Sequence, residues 1–313
     1  MSASATEPKR IVYEDANLRA FYYAGTSNHC LVTFTPWASQ PPAAPFAEQF
    51  VRKSGTEAVA FQSMQNDWWQ SGSVEQGIAE ILPMIRSTVR VTYGSSMGGY
   101  AAIAFADMLQ CSRAIAISPQ ASIDRQLVPW ETRWEEEARR FAMPRGNAGT
   151  GARLASVHLV YDPLVVLDRK HAELISSAAT GRVLHHRFSF SGHPSGPALL
   201  ECGLLQELVL RLVAGNVEDG DLVARFRKAR FRSRSSMMAL LTNHHILRSH
   251  KSLAGAAIDR YRTECRADGK TLFLVARYLV SVGRKAEASE VLASATPSSP
   301  KNAEEIRRLR ARI

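Results

Sequence analysis

Ser96 lies in Gly94-Ser95-Ser96-Met97-Gly98, after the apolar run Val91-Thr92-Tyr93 and before the small, helix-forming Ala101-Ala102-Ile103-Ala104. A serine on a tight strand-to-helix turn sits in strained backbone geometry, and glycines on either side let the chain reverse without Cβ clashes. Such a turn lifts the Ser96 Oγ clear of a sheet. It also leaves the Met97 N–H at a helix N-terminus, where developing negative charge is favoured. The chemistry this suits is nucleophilic attack by Ser96, with Met97 as one oxyanion donor. The competing reading is a glycine-rich turn that serves only close helix–sheet packing.

An activated serine needs a base within hydrogen-bond reach and a carboxylate to orient that base. His193, between Gly192 and Pro194, follows the strand-like run Val183–Phe190 in a setting poorly suited to a core histidine. An imidazole titrates near pH 6.5 when unperturbed, which suits a general base. Asp162 directly follows Val157–Tyr161 and is the first choice for the acid, with Asp168 the second. Asp162-Pro163 also suits a simple turn opening or a helix cap. His171, His185 and His186 fall within a helix or strand and read as packing or surface residues.

The elements that must position these groups alternate along the chain. Ile11–Glu14 and Leu18–Tyr23 predict a hairpin, and Cys30–Phe34, Glu57–Phe61, Arg90–Tyr93, Ala114–Ser118, Val157–Tyr161 and Val183–Phe190 predict strands. Helices are expected over 46–53, 74–86, from 101, near 170–179 and over 199–213. Strands alternating with helices imply an α/β fold, a mostly parallel sheet covered on both faces with the hairpin as an antiparallel edge. Ser96, Asp162 and His193 then all fall at the carboxyl ends of strands, where sites in open α/β sheets form. Residues 119–155 break the rhythm with Trp130 and Trp134 in a charged segment, then a Pro/Gly-rich loop, and read as a cap or insertion. Asn66, Trp68 and Trp69 follow a strand and are candidates to line a substrate pocket; the two tryptophans suit packing under the cap equally well.

With serine, acid and histidine in that order, residues 10–214 resemble an α/β-hydrolase. The resemblance implies Ser96 as nucleophile, Asp162 (or alternatively Asp168) as orienting acid, His193 as general base, and ester hydrolysis through an acyl-enzyme. It implies a second oxyanion donor from the loop after Val32–Phe34, Trp37 or Ala38; no His-Gly pair precedes Trp37, so topology alone places it. The expected substrate is a small-molecule or glycan ester. Acyl transfer to a sugar or glycan hydroxyl is the alternative reaction, since some bacterial surface-glycan and glycoprotein-export proteins resembling α/β-hydrolases carry the same triad. A degenerate hydrolase fold acting as a binding or scaffold protein is the alternative from another class. No cofactor or metal is implied: there is no Gly-rich nucleotide loop, and Cys30, Cys111, Cys202 and Cys265 lie far apart without ligand spacing.

The net charge of +10 is unevenly placed. Residues 221–313 hold 20 Lys+Arg against 8 Asp+Glu, or +12, leaving −2 for the rest, which predicts two modules with different partners. Past residue 220 the pattern is all-helical. The basic run Arg225–Arg234, with Phe226 and Phe231, reads as a solvated helix face; an acidic glycan or membrane surface would suit it, and nucleic-acid binding is not expected. Thr271–Ala295 predicts a helical hairpin turning at 282–284 that resembles one tetratricopeptide-type repeat. A single repeat cannot cover its own apolar face, so a protein partner or self-association is expected there, and Ala303–Ile313 reads as a frayed polar helix. No apolar run of about 18 residues is present to form a transmembrane segment. Residues Met1–Pro8 lack an apolar signal core, so a cytoplasmic protein with reduced thiols is expected.

Overall fold

The computed structural model describes residues 9–40, 43–243, 247, 251–264, 269–297 and 299–313; Cys265 and residues 1–8 lie outside them. Eight strands form one sheet: β1 (Arg10–Glu14), β2 (Leu18–Tyr23), β3 (His29–Phe34), β4 (Glu57–Ser63), β5 (Val89–Ser95), β6 (Arg113–Ile117), β7 (Ser156–Tyr161) and β8 (Val183–Arg187). Their order across the sheet is β1-β2-β4-β3-β5-β6-β7-β8. The β1–β2 hairpin and the β2–β4 pair are antiparallel; every pair from β4 to β8 is parallel. This is a mostly parallel sheet flanked by helices, with the hairpin at its antiparallel edge, as the sequence predicts.

Parallel strands covered on both faces read as continuous apolar runs, and Cys30-Leu31-Val32-Thr33-Phe34 in β3 is buried at every position. Helices α1 (Glu48–Ser54), α2 (Ser73–Ile81), α3 (Met97–Ala104), α4 (Glu135–Arg140), α5 (Val166–Ala178), α6 (Gly196–Glu201) and α7 (Leu205–Val213) follow in chain order. Phe34 holds the core at the sheet centre, stacked on Phe61 at 5.3 Å and met edge-on by Trp69 at 5.1 Å.

Three of the differences from the sequence expectation move a candidate site residue or its neighbours. Helix α5 starts at Val166 rather than near 170, which puts Asp168 in its first turn. Strand β8 stops at Arg187, and the chain turns at Phe190, whose φ is +71°. The helix expected over 199–213 is broken into α6 and α7 at Gly203, whose φ of +70° no helix accommodates.

The chain divides into two compact units. The first comprises residues up to 188, 193–196 and 205–220; the second takes 189–192, 197–204 and 221–313. Within the second, α8 (Gly220–Ala229) buries Leu222 and Phe226, and Arg230 lies over the rings of Phe190 and Phe231 at 4.6 and 4.8 Å. The phenylalanines of the basic run are therefore packed side chains, while Arg225, Arg227, Arg232 and Arg234 are exposed. The expected hairpin is present as helices Gly269–Ser281 and Lys285–Ala293, turning at Gly283 with φ +84°. Its face is covered from inside the unit, by α9 (Arg234–Thr242) and by the helix Pro300–Arg310. That last helix, expected to fray, is capped by Ser299 and buries Ile306 and Leu309. Among the described residues no helix is long and apolar enough to cross a membrane.

Candidate active site

Ser96 joins β5 to α3 with φ +51° and ψ −118°. This is the strained turn that the glycines permit. A Cβ at Gly94 would run into the Gly98 carbonyl oxygen, and a Cβ at Gly98 into that of Phe34. Ser96 stands at the N-cap of α3, but its hydroxyl makes no capping bond, unlike most serines in that position. The Ser96 Oγ instead lies 3.3 Å from His193 Nε2 and 3.3 Å from the side-chain amide of Gln120. The Met97 N–H, at the first turn of α3, has no partner within its helix.

His193 Nδ1 lies 2.8 Å from Asp168 Oδ2. A proton on Nδ1 shared with that carboxylate leaves Nε2 as the lone-pair nitrogen facing Ser96. The expectation that Asp162 orients His193 is thereby corrected. Asp162, also buried, is turned onto its own loop, where Oδ1 accepts the Leu164 N–H at 2.9 Å. The reason is local: α5 begins four residues past Asp162, so the carboxylate that ends β7 shapes the turn. The one in the first turn of the helix reaches the histidine.

Asp168 is held from a second side. Its Oδ1 accepts from Arg133 Nη1 at 2.7 Å, and Arg133 is forked by its Nε and Nη2 onto Glu131. His171 Nε2 lies 2.8 Å from Glu131 Oε2, while His171 Nδ1 accepts the Ala121 N–H at 3.1 Å, which assigns the ring proton to Nε2. Burial alone would raise the Glu131 carboxyl; the His171 and Arg133 hydrogen bonds outweigh it and bring it down to about 2. Burial lowers the His171 imidazole despite its acidic neighbour, so it stands neutral.

Trp37 and Ala38, the residues expected to supply a second oxyanion donor, follow β3. Ala38 N–H donates to Asn66 Oδ1 at 3.2 Å, and Asn66 Nδ2 donates back to Ala38 O at 2.7 Å. The Ala38 N–H is thus engaged, which leaves Trp37 as that loop's candidate, and the Asn66 side chain clamps the loop. Trp68 and Trp69 are core side chains, 0 % and 1 % exposed, both at positive φ. Trp68 packs on Trp134 at 5.0 Å, and Trp134 on Trp37 at 5.8 Å. Their expected place in the pocket wall gives way to the packing role.

Sequence reasoning missed Gln120 and Arg133. Gln120 had a positional signal, since it follows β6 next to the serine strand; Arg133 had none beyond lying in the insertion.

No protein-family model matches the chain, and no curated protein matches it in sequence. Solved structures do resemble it at low identity. The capsule O-acetyltransferase of Neisseria meningitidis serogroup A shares 13% identity over 68% of this chain and 96% of its own, with a TM-score of 0.49. An esterase of Pyrobaculum calidifontis shares 13% over 67% and 85%, also at 0.49. The fluorophosphonate-binding serine hydrolase F of Staphylococcus aureus shares 10% over 68% and 100%, at 0.44.

Proposed function

We propose that the chain is a carboxylic-ester hydrolase with Ser96 as nucleophile, His193 as general base and Asp168 as orienting acid. The observation that carries this reading is the continuous run from Asp168 Oδ2 to His193 Nδ1 (2.8 Å), and from His193 Nε2 to Ser96 Oγ (3.3 Å), ending on a serine at positive φ. The Ser96–His193 distance is at the long end, as is common before substrate binds.

Ser96 Oγ attacks the ester carbonyl carbon while its proton passes to His193 Nε2. The carbonyl oxygen takes the negative charge and is met by the Met97 N–H and, in this reading, the Trp37 N–H; one such donor is worth about 3 kcal/mol. Asp168 stabilises the imidazolium and keeps its ring oriented. The bond to the alcohol oxygen then breaks as Nε2 returns the proton to it. Water, deprotonated at Nε2, next attacks the acyl-enzyme, and the carboxylic acid leaves with Ser96 restored. A sugar hydroxyl in place of that water would make the protein an O-acyltransferase with the same first half-reaction.

The test is fluorophosphonate labelling with mapping of the modified residue, alongside turnover of p-nitrophenyl acetate. Label on Ser96 and loss of both signals in a folded Ser96→Ala variant are expected. Equal labelling of the variant would move the nucleophile to another residue, and a wild type that neither labels nor turns over would favour a non-catalytic binding protein. Adding a sugar acceptor and looking for acylated sugar separates hydrolysis from transfer.

A further inference from the structure

We infer that Arg133, carried by the insertion, is a positioning residue that fixes the Asp168 carboxylate and, through it, the orientation of the His193 ring. The inference rests on the hydrolase reading. The two oxygens of Asp168 are divided between two partners: Oδ2 faces His193, and Oδ1 accepts from Arg133 Nη1 at 2.7 Å. The Asp168 side chain is 1% exposed, so without such partners its charge would be expensive to bury.

Arg133 has little freedom to do anything else. Its Nε sits 3.0 Å from Glu131 Oε1 and its Nη2 2.7 Å from Glu131 Oε2, and its backbone N–H also donates to Oε1 at 2.8 Å. Glu131 is in turn pinned by His171, and His171 by the Ala121 N–H. A planar guanidinium forked onto one carboxylate has its remaining edge aimed in one direction, and here that direction is Asp168. The insertion therefore reaches the proposed acid, while helix α5 supplies both Asp168 and His171.

Glu131 and Arg133 act together as one support for Asp168, since the fork onto Glu131 leaves Nη1 of Arg133 for the Asp168 carboxylate. Loosening either side chain should act on the chemical step, kcat, more than on substrate binding.

The experiment measures kcat and KM for p-nitrophenyl acetate, with thermal unfolding alongside, in the full chain for the wild type, Arg133→Gln, Arg133→Lys and Glu131→Gln. Arg133→Gln is expected to lower kcat at least tenfold with KM little changed. Arg133→Lys should recover only part of that loss, because lysine keeps the charge but lacks the fork. Glu131→Gln should lower kcat in the same way but by less. A kcat that stays at the wild-type level in folded Arg133→Gln, whatever its thermal stability, would overturn the inference in favour of simple structural support. If Arg133→Gln does not fold, Arg133→Lys and Glu131→Gln decide it: wild-type kcat in both overturns it. Absence of Ser96-dependent turnover in the wild type would instead remove the hydrolase reading beneath it.

Discussion

Asp168 Oδ2 stands 2.8 Å from His193 Nδ1, while Asp162, the carboxylate nearer the end of β7, accepts the Leu164 N–H and shapes the turn. Asp168→Asn is therefore expected to lower kcat by about 10⁴-fold, the loss typical when the orienting carboxylate of such a site becomes an amide. Asp162→Asn should cost far less, because its carboxylate is not the one beside His193. Steady-state kinetics on the two folded variants check the ranking, and a greater loss in Asp162→Asn would return the acid's role to that residue.

The serine turn depends on missing side chains. A Cβ on Gly98 would strike the Phe34 carbonyl and the Thr35 backbone, forcing α3 away from the loop that follows β3. Gly98→Ala is expected to cost about 3 kcal/mol and to lower turnover more than a hundredfold. Gly72→Ala is the control, because a Cβ there meets nothing within 4 Å and should stay within about 0.5 kcal/mol of the wild type. Thermal unfolding of both variants tests the contrast.

A second histidine cluster governs acid stability rather than chemistry. His158 is 1% exposed with its Nδ1 3.0 Å from His186 Nε2, and His186 Nδ1 lies 2.8 Å from Asp219. Burial, followed by the neighbouring His186, pushes the His158 imidazole down to about 3, against about 6.5 in an unfolded chain. Between those values the unfolded state binds the extra proton. The stability that neutral His158 provides is thus complete above pH 6.5 and lost as pH falls towards 3, about 2 kcal/mol of it between pH 7 and 5. His171 and His185 are lowered as well, with burial the leading cause, and add in the same direction. Denaturant midpoints at pH 7 and 5 should show the loss, and His158→Gln should flatten it; an unchanged slope in that variant would refute the assignment.

Periodicity and turn chemistry carried most of the fold into the sequence. Alternating apolar runs located all eight strands, and Gly94-Ser95-Ser96-Met97-Gly98 located the strained turn, because only small residues fit where α3 crosses close to β3. The choice between Asp162 and Asp168 was not legible, since it turns on where α5 begins. Val165-Val166-Leu167 has no side-chain cap to mark that start. The tryptophans misled for a related reason: an indole after a strand suits a pocket wall and a core equally, and only the packing of Trp69 on Phe34 decides. Gln120 and Arg133 act through contacts distant in sequence, and no local pattern encodes those.

The proposed chemistry uses no residue past 220, yet removing residues 221–313 should still abolish ester turnover. The segments 189–192 and 197–204, which bracket His193–Gly196 in the chain, belong to the same compact unit as 221–313. Arg230 Nη1 donates to Ser189 O at 3.0 Å and covers the Phe190 ring, which also meets Phe231 at 5.5 Å. Ser233 Oγ and Ser235 Oγ each donate to Glu201 at 2.7 Å. Deleting the helices strips these anchors from both ends of the histidine loop, and a general base displaced by about 1 Å can lose a hundredfold in rate. Arg230→Ala, a gentler cut, should lower kcat several-fold while the thermal transition stays cooperative. A soluble, folded 1–220 fragment with wild-type turnover would show instead that the histidine loop holds its shape without the helices.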